Sequence, residues 1–457
     1  MKSFELEKNY FINPYTNLKN IRESGSLTIT KGEGIYVFDE NNNKYLEGLA
    51  GLWCVALGFN NQRLIKAANK QLNELPYYHS FTGKVPLTTL ELSEALVKIT
   101  PDSLTKVLYA NSGSESNDTA IKIAWYYQNA QGKINKKKII SRRRGYHGVT
   151  VMSGSLTGME YAHKGFDMPK EFVIHVESPH YYGDAIDGET SNEFVDRILK
   201  NLENIILQES ADNIAAMILE PIQGAGGVII PPENYIKGVQ DLLKKYDILL
   251  IVDEVICGFG RTGKMFGSDT FKINPDMMVT AKGLSSGYIP ISALLINENI
   301  FQTISEFSAQ NNVFGHGYTY SGHPLGAAVA LETIKIFEDE NILDHVRGVS
   351  FRFREKMKEL NNFSIVGNTR SIGLIGGIEL VQNKKDRKYF EKNVGISASV
   401  VNHAQKNGLI VRALQGDIIA VCPPLIIKNN EIDLLFNMLS EALNDTEKDL
   451  KNRGILC

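Results

Sequence analysis

Between about residues 105 and 295, short apolar runs rich in β-branched residues alternate with helical patterns. The strand candidates are 106–110, 138–141, 172–176, 214–219, 248–252 and 277–281. Short runs without polar alternation belong to strands buried on both faces. The alternation predicts an α/β architecture, with a mostly parallel central sheet covered by helices. In such sheets ligands bind beyond the carboxyl ends of the strands. The residues at which each run stops therefore carry the functional argument.

The 457 residues are too many for one simple domain. Residues 34–48 alternate around the polar turn Asp39–Asn43 and predict a hairpin. A helix follows, with Leu64, Ile65, Ala67, Ala68 and Leu72 on one face. After residue 325 helices are expected at 326–338 and 341–360, then short strands near 363–380 and 409–422. The expected layout is an N-terminal segment, 1–60, contributing to a small domain, a large domain over 61–325, and a small α+β domain over 326–457. Charge is nearly balanced, with a net −3, so no global basic field points to nucleic acid or an anionic membrane. Cys54, Cys257, Cys422 and Cys457 have neither C-x-x-C nor zinc-like spacing, so no metal site is expected. The N-terminus lacks a signal-peptide core, and no apolar run approaches the ~20 residues of a membrane span. A reduced, cytoplasmic chain is the expectation.

Ile248–Val252 stops at Asp253, and Met277–Ala281 stops at Lys282. A carboxylate and an amine at one sheet edge are what pyridoxal phosphate (PLP) requires: an acid to keep the ring nitrogen protonated and a lysine to bond its aldehyde. Each residue also has a plainer reading, Asp253 as a helix cap or ion-pair partner and Lys282 as a strand-end side chain reaching solvent. The run Val107–Ala110 leads into Asn111-Ser112-Gly113-Ser114-Glu115 and a helix. Small residues there leave N–H groups free for an anion at the helix's positive end, although Ser112 and Glu115 also form a capping-box pattern that needs no ligand. Tyr146, between Gly145 and Gly148, is placed to stack on a ring or to sit half-buried in an ordinary turn. Arg142–Arg144 is expected to be a solvated or salt-bridged face. Glu220-Pro221-Ile222-Gln223-Gly224-Ala225-Gly226-Gly227 adds a glycine-rich turn at the same edge, with Gln223 in reach of a ring's phenolic oxygen.

At these residues the chain resembles the class III PLP-dependent aminotransferases, of fold type I, over nearly its whole length. The most specific stretch is Leu249–Gly263, containing Asp253-Glu254-Val255-Ile256-Cys257-Gly258, followed by Ala281-Lys282-Gly283 at the family's separation. The resemblance implies a large PLP domain with a smaller α+β domain. It places Gly113 and Ser114 on the phosphate, Tyr146 and Val255 on the two ring faces, and Asp253 on the ring nitrogen. Glu220 joins the cofactor-binding set, with Gln223 near the phenolic oxygen and Lys282 as the covalent anchor and proton shuttle. His316–Pro324 looks like the segment that crosses to a second subunit, where Thr319 would hold the neighbouring phosphate. A homodimer, or a dimer of such dimers, is thereby implied. Leu52-Trp53-Cys54, Thr319–His323 and Val411-Arg412-Ala413 resemble the ω-amino acid and amine:pyruvate branch. There Trp53, Tyr15, Ala225 and Arg412 would line the substrate pocket, with Phe81 reaching in from the partner. Leu414-Gln415-Gly416 is one residue longer than the usual loop, and Tyr78 and His79 are more polar than that branch's pocket.

The expected activity is ping-pong transfer of an amino group from an ω-amino acid, aminosulfonate or amine to pyruvate. A decarboxylase or aminomutase of the same fold remains open at this point, since the core residues are shared. A non-catalytic regulatory module would be expected to lose Lys282 or Asp253, and this chain keeps both.

Overall fold

The computed structural model describes residues 2–456. Near the N-terminus β1 (Ile29–Glu33), β2 (Tyr36–Asp39) and β3 (Lys44–Glu47) form an antiparallel meander. The central sheet is built from β4 (Leu104–Ala110), β5 (Lys138–Arg142), β6 (Val173–Val176), β7 (Ile214–Leu219), β8 (Leu249–Asp253), β9 (Met277–Thr280) and β10 (Ser292–Asn297), in the order β4-β10-β9-β8-β7-β5-β6. Every residue of β7, β8 and β9 is buried, which explains their unbroken apolar runs. Side chains alternate between two helical layers. Ile251 packs with Ala120, Ile121 and Ala124 of the helix Gly113–Ala130. Leu250 and Val252 pack with Phe194, Leu202, Val239 and Leu243 of the helices Ser191–Glu209 and Tyr235–Lys245. Burying each such aliphatic side chain contributes ~1.5–3 kcal/mol.

β10 is the exception to the parallel pattern and was not among the expected strands. It lies antiparallel to both β4 and β9 and fills the gap between them. The parallel strands β4 and β9 thus stay in one sheet without being neighbours. The sheet's parallel strands all end on the same edge.

The C-terminal part forms a second sheet from β11 (Val366–Ile372), β12 (Ile375–Leu380), β14 (Arg412–Leu414) and β15 (Ile418–Val421), all antiparallel. Between them, β13 (Leu409–Ile410) leaves this sheet and pairs in parallel with β3, Leu409 opposite Leu46 and Ile410 opposite Glu47. Helices Pro324–Asp339, Ile342–Glu359 and Asn429–Asn452 cover the core around Phe337, Phe353 and Phe436.

Two local expectations fail for identifiable reasons. On the helix Gln62–Glu74, Leu72 is exposed and Gln71 is buried, because the Gln71 amide caps the helix end by donating to the Leu75 carbonyl. Arg142 is not a solvated cation. It ends β5 inside the protein and donates to the carbonyl oxygen of Glu220, tying β5 to the glycine-rich turn, while Arg143 stays exposed. Among the described residues Cys54, Cys257 and Cys422 are free thiols, Cys457 lies outside them, and no helix is long and apolar enough to cross a membrane.

Candidate active site

The ends of β4, β5, β7, β8 and β9 enclose a cavity of about 320 Å³. Its wall includes Ser112, Gly113, Ser114, Asn117, Tyr146, Glu220, Asp253, Val255 and Lys282.

At the end of β4, Ser112 caps the helix Gly113–Ala130 with a full capping box. Its Oγ accepts from Glu115 N at 3.3 Å, and Glu115 Oε2 accepts from Ser112 N at 3.0 Å. The plain structural reading is therefore correct, yet it leaves the anion reading intact. The capping box uses Ser112 and Glu115, while the first-turn N–H groups of Gly113 and Ser114 have no intrahelical acceptor. They face the cavity at the helix's positive end. Gly148, at φ 132°, closes against them, and a Cβ there would lie 2.4 Å from Ser114 Oγ. A Cβ on Gly113 would lie 2.9 Å from Val255 Cγ2. The two glycines thus leave room for nothing but hydrogen at these points.

At the end of β8, Asp253 is only 3% exposed. Its Oδ2 accepts from Asn117 Nδ2 at 2.8 Å and faces His147 Nδ1 at 2.9 Å, an arrangement in which Nδ1 carries the proton. Val255 N donates to Oδ1 at 3.1 Å. The carboxylate is thus fixed in orientation by three donors from three elements. Asn117 Nδ2 also donates to the His147 carbonyl at 2.7 Å, and its buried Oδ1 has no partner among the described residues. Asn117 and His147 were missed as site residues by sequence reasoning. The available signal was position: Asn117 stands one helical turn after Gly113, and His147 directly follows Tyr146.

At the end of β7, Glu220 accepts from Tyr146 N at 3.0 Å and Gly224 N at 2.9 Å, and burial raises its carboxyl above the ordinary range. Gln223 is not among the residues lining the cavity. Its Oε1 accepts from Ser178 Oγ at 2.7 Å and its Nε2 donates to the Arg143 carbonyl at 2.9 Å. The amide staples the turn through these two bonds. Ala225 likewise packs into the small apolar cluster around Leu49 and Trp53 and is not on the cavity wall.

At the end of β9, Lys282 adopts φ 41°, opening the short helix Lys282–Ser285. Among the described residues its Nζ makes no hydrogen bond or ion pair, and it stands 5.7 Å from the Trp53 ring centroid. The Arg412 guanidinium is 5.5 Å from the same ring and is likewise without a hydrogen-bond partner. Trp53 is buried, and Tyr15 reaches the Tyr146 hydroxyl at 3.2 Å. Burial pushes the Tyr146 phenol well up, so it stays neutral. Two further predicted residues lie outside this constellation. Thr319 is exposed, its carbonyl accepting from Tyr77 Oη, and Phe81 is exposed beside Gly317.

These residues fit PLP. A backbone anion cradle, a fixed carboxylate and an unpaired amine surround one cavity of cofactor size. Gly113 and Ser114 would hold the phosphate, Tyr146 and Val255 the ring, and Asp253 the ring nitrogen. When bound, the cofactor supplies an electron sink for cleavage of a bond at the donor carbon. The chain's own part would be to keep the ring nitrogen charged through Asp253 and to move the proton through Lys282.

A second buried carboxylate stands directly after Asp253. Glu254 accepts from Gly267 N at 2.9 Å and from Ser268 Oγ at 2.7 Å, and burial pushes its carboxyl up to about 7. Because the folded value lies above the unfolded one, its stabilising contribution is full below about pH 4.5 and is lost as pH rises through about 7. Glu254→Gln is expected to flatten the dependence of unfolding free energy on pH across this window by about 3 kcal/mol, measured by urea denaturation.

The aminotransferase class-III family profile matches residues 20–443. Gamma aminobutyrate transaminase 1 (mitochondrial) of Solanum lycopersicum is 46% identical over 436 residues, covering 95% of this chain and 84% of the relative. The omega transaminase of Pseudomonas jessenii in complex with PMP superposes with a TM-score of 0.95 at 46% identity, covering 97% of this chain and 98% of that one. A thermostable omega transaminase variant engineered for asymmetric synthesis of enantiopure bulky amines gives 0.96 at 45% identity, covering 98% and 99%. None of these is a decarboxylase or a mutase. The chain belongs to the class III aminotransferases and is a PLP-dependent transaminase.

Proposed function

We propose that the chain moves the amino group of an ω-amino acid or amine to pyruvate, in two half-reactions that share one site. The observation that carries this reading is the pair of cations on one indole. Lys282, the reacting amine, and Arg412, an unpaired guanidinium, lie 5.7 and 5.5 Å from the Trp53 ring. A planar guanidinium beside the reacting centre suits the carboxylate of a keto acid, which it takes by two parallel hydrogen bonds. The engineered omega transaminase adds support. Its substitutions for bulky amines fall on a tryptophan, a phenylalanine and an arginine spaced 28 and 331 positions apart, as Trp53, Phe81 and Arg412 are here. The Solanum relative is a gamma aminobutyrate transaminase, which supports an ω-amino acid among the donors.

The reading includes a homodimer. Tyr77, Tyr78, Phe81, Val85 and Tyr320 are exposed, and Tyr77 and Phe81 lie against the segment that carries Thr319, which supports a covering partner there. In a dimer Phe81 and Thr319 would serve the neighbouring site. A reducing, cytoplasmic setting is supported by three cysteines that remain thiols.

The test is a panel of donors (β-alanine, 4-aminobutyrate, taurine, putrescine and 1-phenylethylamine) with pyruvate, read as alanine formed. Arg412→Leu is expected to raise KM for pyruvate by about 10- to 100-fold. The half-reaction with 1-phenylethylamine, which has no carboxylate, should keep its rate. An unchanged pyruvate KM would remove Arg412 from the acceptor site.

A further inference from the structure

The segment Ala50–Trp53 holds four successive residues at positive φ: 48°, 70°, 145° and 60°. Only Gly51 among them adopts such angles freely, so Ala50, Leu52 and Trp53 are strained. Strain of this kind persists only where the surroundings over-determine it. On one side the backbone closes the turn, with Trp53 N donating to Leu49 O at 2.8 Å and both Cys54 N and Val55 N donating to Ala50 O at 2.9 Å. Leu57 N reaches Ser286 Oγ at 2.9 Å, linking the segment to the loop after Lys282. On the other side stands one side chain. Glu47 Oε1 accepts from Leu49 N at 2.8 Å, and the Gly51 N–H also faces this carboxylate.

We propose that Glu47 is a positioning residue for donor specificity: its carboxylate holds the Ala50–Trp53 turn and thereby sets where the Trp53 indole bounds the donor pocket. The inference rests on the reading that Trp53 lines that pocket. Glu47 is the last residue of β3, 7% exposed, and lies opposite Ile410, two residues before Arg412. The same short ladder therefore aligns both faces of the pocket, the indole through Glu47 and the guanidinium through β13. The thiols of Cys54 and Cys422 stand near the carboxylate, with Arg261 and Lys282 the cations acting on the same pair. Burial pushes the Glu47 carboxyl up to about 7, so at alkaline pH the protein carries a buried charge that costs stability. A glutamate retained in that state is explained by the turn it holds.

The chain has two tryptophans, Trp53 and Trp125. Trp125 lies on the helix Gly113–Ala130, outside the site, its Nε1 donating to Lys137 O. In a Trp125→Phe background, fluorescence reports Trp53 alone. Acrylamide quenching is measured with and without PLP, beside kcat and KM for 4-aminobutyrate and 1-phenylethylamine. Glu47→Ala is expected to raise the quenching constant roughly twofold or more in both states, as a loosened turn admits quencher. Discrimination between the compact and the bulky donor should narrow by about tenfold, through KM. Glu47→Gln, which keeps an acceptor oxygen, should restore both readouts. Should Glu47→Ala not fold, Glu47→Asp, one methylene too short to reach, takes its place with the same expectation. Wild-type quenching and discrimination in whichever of these folds would overturn the proposal. Quenching that rises while discrimination stays fixed would also overturn it, and would take Trp53 out of the donor pocket, whatever donor the enzyme uses.

Discussion

Lys282→Ala is expected to lower amino transfer by at least about 10⁴-fold with every donor, because in the proposed reading it removes both the covalent anchor and the group that moves the proton. Nothing else stands ready to substitute. Among the described residues Lys282 Nζ makes no hydrogen bond or ion pair, while the two carboxylates on the wall are committed: Asp253 to Asn117 and His147, and Glu220 to two backbone N–H groups. Cys54, on the cavity wall, has its thiol held up by burial and donates to Leu52 O at 3.2 Å, so it stays protonated and is not available as a base. Two measurements separate loss of chemistry from loss of fold. Borohydride treatment of the wild-type enzyme with PLP should add the cofactor's mass to the chain, and the variant should gain none. Equilibrium binding of PLP should survive, since the Gly113–Ser114 cradle and Asp253 remain. Alanine formation by the variant within tenfold of wild type would assign the proton transfer elsewhere.

Asp253→Asn is expected to lower kcat by about 10²- to 10³-fold while leaving the chain folded. The carboxylate is the only negative group at the end of β8 that faces the cavity, and a neutral amide cannot hold a ring nitrogen in its charged form. The amide also brings a geometric conflict. Oδ2 accepts from Asn117 and His147, and Oδ1 accepts from Val255 N, so no orientation of an asparagine satisfies all three donors. The loss should therefore exceed that of charge alone, and Asn117→Ala should reproduce only part of it. Pre-steady-state rates of the donor half-reaction are the check. Equal slowing of both half-reactions is expected, because both pass through the same charged ring. Slowing confined to one half would place the defect in substrate binding.

The buried strands were legible because burial on both faces leaves an unmistakable record. β7, β8 and β9 carry no polar residue inside their spans until Asp253 and Thr280, so composition and position agree. Asp253 and Lys282 stood out for the same reason, as charges at the ends of apolar runs. β10 was harder, since an antiparallel strand inserted between two parallel ones has the same apolar signature as its neighbours and its direction is written only in the connections. Arg142 illustrates a different limit. Three arginines in a row suggest a solvated face, and only the strand's pleat and the Glu220 carbonyl behind it turn the first of them inward. The resemblance places Gln223 near the phenolic oxygen, and the identity of a side chain does not by itself state its partners within the protein. Here Ser178 and the Arg143 carbonyl take it. The Ala50–Trp53 turn was invisible for a deeper reason: nothing in Ala-Gly-Leu-Trp announces positive φ at three non-glycine residues, because a distant carboxylate and a closing backbone impose it.

The pairing of β13 with β3 has a consequence for the order of assembly. The meander that ends at Glu47 is synthesised early, yet its open edge is completed by Leu409 and Ile410, more than 350 residues later. Until then the nascent chain presents an unpaired strand edge of the kind that invites off-pathway association. The central sheet is closed by Asn297, so a chain released before residue 409 would own the Gly113–Ser114 cradle and lack the Arg412 side of the proposed donor pocket. Such a truncation should retain the means to capture PLP while lacking the strand that sets Arg412 across from Trp53. The Arg412 side of the pocket is thus delivered hundreds of residues after the Trp53 side it faces.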